Sequence, residues 1–126
     1  MVRLMEIYEL NQVLDITPES FHEEYQEILP HLNVYVSEKE GSICAYAYIV
    51  DGYIIGGIHK SDGAKDSDII ELITFIKSRY SELVYAKSEG DDSYKDVLLA
   101  LDFALESTEM DEESGQSYEI YSWEEQ

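Results

Sequence analysis

Basic residues are scarce in this chain of 126 residues: eight Lys and Arg stand against 28 Asp and Glu, for a formal net charge of −20. An envelope this negative repels nucleic-acid phosphates and anionic lipid headgroups at long range, so direct binding to nucleic acid or to a membrane surface is not expected. Cysteine is scarcer still. Cys44 stands alone between Ile43 and Ala45, which rules out an intramolecular disulfide framework and leads us to expect a buried reduced thiol in a cytoplasmic protein. Long apolar runs are missing too. Met1 to Leu10 already contains Glu6 and Glu9, so neither a secretory signal nor a membrane span is expected. His22, His31 and His59 are the only histidines and none pairs at helical i, i+4 spacing, so no metal site is expected. Asp111-Glu112-Glu113 lacks the alternating oxygen ligands and the glycine of a calcium loop.

What is present suffices for one folded domain over residues 1–126, since 44% of the chain is hydrophobic and the apolar residues recur throughout. Val2 to Leu10 is expected as a first strand. Thr17-Pro18-Glu19 opens a helix from about Pro18 to Leu29, with Phe21, Tyr25, Ile28 and Leu29 at helical spacing. From Asn33 the period changes to that of strands: Val34 to Val36, a turn at Glu38 to Gly41, Ser42 to Val50, a tight Asp51-Gly52 turn, and Tyr53 to His59. This is an antiparallel meander. Gly56-Gly57 interrupts its third strand and predicts a bulge or a close backbone approach.

A polar loop from Lys60 to Asp68 leads to a helix capped by Asp66 or Ser67 and carrying Ile69, Ile70, Ile73, Ile76 and Tyr80. A strand, Glu82 to Lys87, follows. Ser93 and Asp96 read as a capping box before a helix that includes Val97, Leu98, Leu101, Ala104 and Leu105. A closing hairpin joins Ser107–Met110 to Tyr118–Trp123; it either completes the same sheet or serves as an edge at which a second copy forms a homodimer.

The charge is unevenly placed. Met1 to His59 holds ten acids against Arg3 and Lys39; Lys60 to Lys95 holds eight acids against six bases; Asp96 to Gln126 holds ten acids and no Lys or Arg. Cationic partners are therefore favoured, although acidity also serves plain solubility. Eleven tyrosines, many on expected strands, add aromatic surface among carboxylates. That combination suits strand packing and also a nucleic-acid mimic that competes for a cationic groove.

The order strand, helix, three-strand meander, loop, helix, strand, helix, hairpin resembles the GNAT N-acetyltransferase family over nearly the whole chain. The resemblance implies an α/β (α+β) fold with a mixed, mostly antiparallel central sheet flanked by helices. It also implies that the Gly56-Gly57 bulge splays the sheet to admit the pantetheine of acetyl-CoA, and that Lys60 to Ser67 forms the pyrophosphate loop. The family's loop motif falls here on Ser61, Ala64 and Asp66. Its second motif falls on Asp91, Tyr94, Leu98 and Asp102 ahead of Phe103, so Leu98 stands where the family commonly has a tyrosine that protonates the departing thiolate.

The implied cofactor-binding set is Ile58, Lys60, Ser61, Gly63, Ala64, Lys65, Asp66 and Ser67, with backbone amides at a helix N-terminus serving the diphosphate. His59, at the end of a strand beside that loop, is the candidate general base, since an unperturbed imidazole titrates near neutral pH. Two functions are consistent with these residues. The eroded motifs and acidic C-terminal third favour a degenerate, non-catalytic module that binds or inhibits a basic protein, itself a nucleic-acid-binding one in the mimic reading. The alternative is an acetyl-CoA-dependent N-acetyltransferase acting on a cationic amine or lysine-rich substrate. An open gap between Tyr53–His59 and Glu82–Lys87 is expected for the enzyme, and a gap filled by side chains for the binder.

Overall fold

The computed structural model describes residues 1–126. Its seven strands form one sheet in the order β1-β2-β3-β4-β5-β7-β6, built from β1 (Val2–Leu4), β2 (Asn33–Lys39), β3 (Ser42–Val50), β4 (Ile54–Lys60), β5 (Glu82–Ser88), β6 (Ala104–Met110) and β7 (Ser117–Glu124). All neighbours are antiparallel except β4 and β5. Four helices flank it: α1 (Leu10–Asp15), α2 (His22–Ile28), α3 (Asp66–Lys77) and α4 (Lys95–Ala100). The expected mixed sheet is present, with one extra short helix.

That helix corrects the first expectation. The strand thought to run to Leu10 stops at Leu4, because Glu9 draws the chain into a turn: its carboxylate accepts both Arg3 guanidinium arms at 2.7 Å and the Glu6 amide at 2.8 Å. α1 then buries Val13 and Leu14. The helix expected from Pro18 to Leu29 is split into α2 and flanking 3₁₀ turns at Glu19–Phe21 and Leu29–His31. α4 is shorter than its apolar pattern implied. It ends at Ala100, Asp102 takes a positive φ of 68°, and Ala104 and Leu105 lie on β6, so the hairpin starts three residues earlier than expected. Ser93 does not cap α4; Tyr94 precedes it. Cys44 is only half-buried, with its sulfur 3.8 Å from the Ser37 hydroxyl.

The two faces of β3 explain the two-sided core. Ala45, Ala47 and Ile49 pack toward α3 and α4 with Ile69, Leu72, Ile73, Ile76 and Leu98, while Tyr46 and Tyr48 pack toward α1 and α2 with Val13, Leu14, Tyr25 and Leu29. Each large aliphatic side chain so removed from water contributes about 1.5–3 kcal/mol before entropy is subtracted. The helices therefore clamp β1 to β4 from both sides. Over β5 and β7 only the α3/α4 face is covered, and β6 is exposed on both faces along all seven residues.

Asp51 and Gly52 both have positive φ, 55° and 84°, as a tight two-residue hairpin turn requires. The Gly-Gly bulge is also present: Tyr48 pairs with Gly57 and Ile49 with Ile55, leaving Gly56 as the extra residue. Its placement shapes the site.

Candidate functional site

β4 and β5 start together and then part. Ile54 pairs with Val84 and Ile55 with Tyr85, and no pair follows. Beyond the bulge, Gly57 to Lys60 pair only with β3, and Ala86 to Ser88 only with β7. Two inner strand edges thus diverge, each carrying backbone donors and acceptors with no partner strand. The gap between them is open, with two hollows beside it. One, of about 610 Å³, is lined by Asp15 to Pro18, His59 to Asp62, and Tyr94. The other, of about 540 Å³, reaches from Phe21, Glu24 and Tyr25 across Gly56 to His59 toward Tyr85, Ala86, Ser88 and Tyr118. Pro18, His59 and Tyr94 line both.

Tyr48 occupies the space that two missing β-carbons leave over the bulge. A β-carbon on Gly56 would lie 2.1 Å from Tyr48 Cε2, and one on Gly57 would lie 3.0 Å from both Tyr48 Cε1 and the Tyr25 hydroxyl. The Tyr48 hydroxyl donates to that of Tyr25 at 3.1 Å, and the Tyr25 hydroxyl lies 3.0 Å from His59 Nε2. Tyr46 stacks obliquely on the same imidazole, its hydroxyl bonded to Thr17, which donates onward to the Val13 carbonyl at 2.6 Å. A polar chain therefore runs from the second hollow to His59. Burial lowers the His59 pKa to about 4. The ring is accordingly neutral at pH 7, so its Nε2 accepts from Tyr25 and its proton resides on Nδ1.

This has a consequence for acid stability. The unfolded imidazole takes up a proton near pH 6.5 and the folded one only near 4, so stability falls as pH drops through that interval, by about 2 kcal/mol once the ring's residual solvent exposure is discounted. His59→Gln keeps an acceptor for Tyr25 and removes the titration. Urea unfolding at pH 7 and pH 5 should show a smaller loss for the variant than for the parent; equal losses would refute the buried neutral imidazole.

The loop residues assigned to the diphosphate lie where the sequence put them, at the end of β4 and the start of α3. Their amides are not equally free. The Ala64 N–H bonds the Ser61 carbonyl at 3.1 Å, and the Lys65 N–H bonds the Asp68 carboxylate at 2.9 Å, so Asp68 caps α3 rather than Asp66 or Ser67. The amides of Gly63, Asp66 and Ser67 stay uncommitted within the protein. Asp66 is exposed and faces Lys60 at 4.0 Å. The near-neutral middle of the chain is also less available than its composition suggests. Lys87 is buried between Asp92 at 2.9 Å and Glu119 at 3.7 Å, and Lys77 donates to the Leu101 carbonyl while lying over Trp123. Lys60 and Lys65 are the bases left beside the loop.

Leu98 is fully buried in the core and offers no proton. Tyr94 lies one helical turn earlier, and its carbonyl accepts the Leu98 amide. Tyr94 lines both hollows, and burial first, then Asp91 and Asp66, raise its pKa, so it holds its proton at neutral pH. Tyr25, Tyr48, Tyr85 and Tyr94 were given no role in the site from sequence, although Tyr94 stood at a position of the second motif. A tyrosine four residues before the lost position was the one signal that could have found Tyr94.

The divergence of β4 and β5 beside the bulge, within this strand order, defines the GNAT acetyltransferase fold. Among solved structures the chain is similar to a GNAT-family acetyltransferase from Bacillus cereus at 13% identity and a TM-score of 0.82, covering 100% of this chain and 97% of that one. It is similar to the aminoglycoside 6'-N-acetyltransferase of Enterococcus faecium at 6% identity and a TM-score of 0.79, covering 98% and 96%. It also resembles the ribosomal-protein-S18-alanine N-acetyltransferase of Escherichia coli at 11% identity and a TM-score of 0.73, covering 98% and 92%. No protein-family model and no curated protein sequence matches the chain. No helix is long and apolar enough to cross a membrane.

Proposed function

We propose that this protein is an acyl-CoA-dependent N-acyltransferase for a cationic amine, and that acetyl-CoA is its donor. The observation that carries the reading is the open divergence of β4 and β5, with two hollows meeting at His59 and Tyr94. A binding module has no need of that gap, and the side chains around it leave it unfilled. On that ground we prefer the transferase to the purely non-catalytic module that composition favours. The similar solved structures are acetyltransferases, which agrees with this reading.

Acetyl-CoA would lie along the gap: the unpaired β4 and β5 backbone would hold its amide-rich arm, and Lys60, Lys65 and the amides of Gly63, Asp66 and Ser67, at the end of β4 and the start of α3, would hold the diphosphate. An acyl-CoA supplies a thioester carbonyl. The protein's part is to place an amine beside it, offer the Gly56–Ile58 backbone where negative charge develops, take one proton and give another. On the amine side, His59 Nε2 is already taken by the Tyr25 hydroxyl, so a proton leaving the amine would reach the imidazole by relay through the Tyr48 and Tyr25 hydroxyls, and burial makes that imidazole a weaker base than the free side chain. On the thiol side, the protonated Tyr94 hydroxyl stands in for the one that Leu98 lacks. Glu24 and Asp91, both lining the second hollow, favour a cationic acceptor.

Thermal melting with and without millimolar acetyl-CoA tests this. At a hundredfold excess over the dissociation constant, a ligand of the folded state adds about 2.7 kcal/mol, which raises the midpoint of a chain this size by roughly 5 °C or more. An unchanged midpoint, with no heat in a calorimetric titration, would end the transferase reading.

A further inference from the structure

The second hollow does not stop at the catalytic gap. On the sheet face that α1 and α2 leave bare, a groove of about 570 Å³ continues from it over β5, β7 and β6, sharing Ala86 with the hollow. The strand period makes this one stripe: Val84, Ala86 and Ser88 alternate along β5, and their partners Ser122, Ile120 and Tyr118 alternate along β7. The floor is thus apolar or small. The rim is acidic, with Glu82, Glu106, Glu109 and Glu124 among the lining residues and no Lys or Arg. β5 alone, with seven residues, is about 20 Å long, enough to seat roughly six residues of extended polypeptide.

We infer that this groove docks an extended lysine- or arginine-rich segment of another protein, and that, granted the transferase reading above, the segment presents its amine at the β4–β5 gap. Charge complementarity selects the occupant. A second copy of the chain carries −20 and brings ten acids and no base in its own Asp96 to Gln126, so like charge opposes self-association through this face. A small amine could be held by the hollow alone and leaves the apolar floor of the groove uncovered. A basic segment covers it: alternate side chains and lysine stems lie on Val84, Ala86 and Ile120 while the charged heads reach the glutamates.

The test is fluorescence anisotropy with a labelled decapeptide of alternating lysine and alanine, on the full protein and on a Glu106→Gln/Glu109→Gln variant, whose substitutions are on an exposed strand and whose fold circular dichroism would verify. We expect saturable binding, weakened about tenfold in the variant and markedly between 50 and 200 mM salt. Equal affinity for the variant, or no binding at millimolar protein, would overturn the inference, as would a concentration-dependent dimer that buries this face. Calorimetry with acetyl-CoA on the unaltered protein separates the two proposals. Peptide binding without acetyl-CoA binding upholds the groove and removes the transferase; acetyl transfer to butylamine with no peptide binding does the reverse.

Discussion

Tyr94→Phe is expected to lower acetyl transfer about 100-fold, with little change in acetyl-CoA affinity. Tyr94 lines both hollows, and no other tyrosine does. Burial and the nearby Asp91 and Asp66 hold its pKa above the ordinary tyrosine value. It therefore keeps its proton through the pH range in which an amine attacks, and loss of a placed general acid commonly costs 10²–10⁴ in rate. Phenylalanine retains the ring and its packing, so the change isolates the hydroxyl. The measurement is kcat and KM from released thiol. A proton-donor role predicts a fall in kcat with KM for acetyl-CoA held, and in the parent a rate that does not decline toward the ordinary tyrosine pKa on the alkaline side. A variant within twofold of the parent would assign the proton elsewhere.

Gly56→Ala has the largest expected effect on stability, about 3 kcal/mol. The added β-carbon would lie 2.1 Å from Tyr48 Cε2 and 2.8 Å from Cδ2 and Cζ, where no two unbonded carbons can remain. The ring cannot move aside cheaply. It is buried, meets Tyr25 edge-on at 5.2 Å between centroids, and donates its hydroxyl to the same residue. Overpacking against a fixed neighbour costs at the upper end of the usual range. Gly63→Ala is the control: nothing lies within 4 Å of its β-carbon position, and it should stay within about 0.5 kcal/mol of the parent. Urea midpoints at constant m report both. If Gly56→Ala cost as much in a Tyr48→Ala background as in the parent, the ring would not be the reason for the glycine. Because Gly56 lines the second hollow, the same substitution should also depress transfer by shifting Tyr48 and Tyr25.

These two residues were unequally visible in the sequence. The Gly56-Gly57 pair announced a bulge, because glycine inside a β run is conspicuous and few causes explain it. That Tyr48 is the neighbour requiring it was not readable, since the partner is set by a register in which Tyr48 opposes Gly57 and Ile49 opposes Ile55. Tyr94 received a motif position but no role, for a related reason. A motif aligned on Phe103 assigns roles by position, whereas a hydroxyl one turn earlier on the same helix face can reach the same place. The mistaken first strand has an electrostatic origin: the bidentate Arg3–Glu9 pair bends the chain after Leu4, and no local period records an ion pair six residues apart.

The scarcity of basic residues, taken from the sequence alone, determined the sign of the protein's own field, and period, turns and element order determined the sheet and its meander. Those properties are carried by neighbouring residues or by simple counts. Tertiary structure decided where the charge does its work. Burial removed Lys87 and Lys77 from the near-neutral middle, Asp68 took up an amide of the loop, and the acids of β6 came to border an uncovered apolar face beside the open strands. The physical reason is that composition sums charges over the chain, while burial and pairing determine which of them a ligand meets.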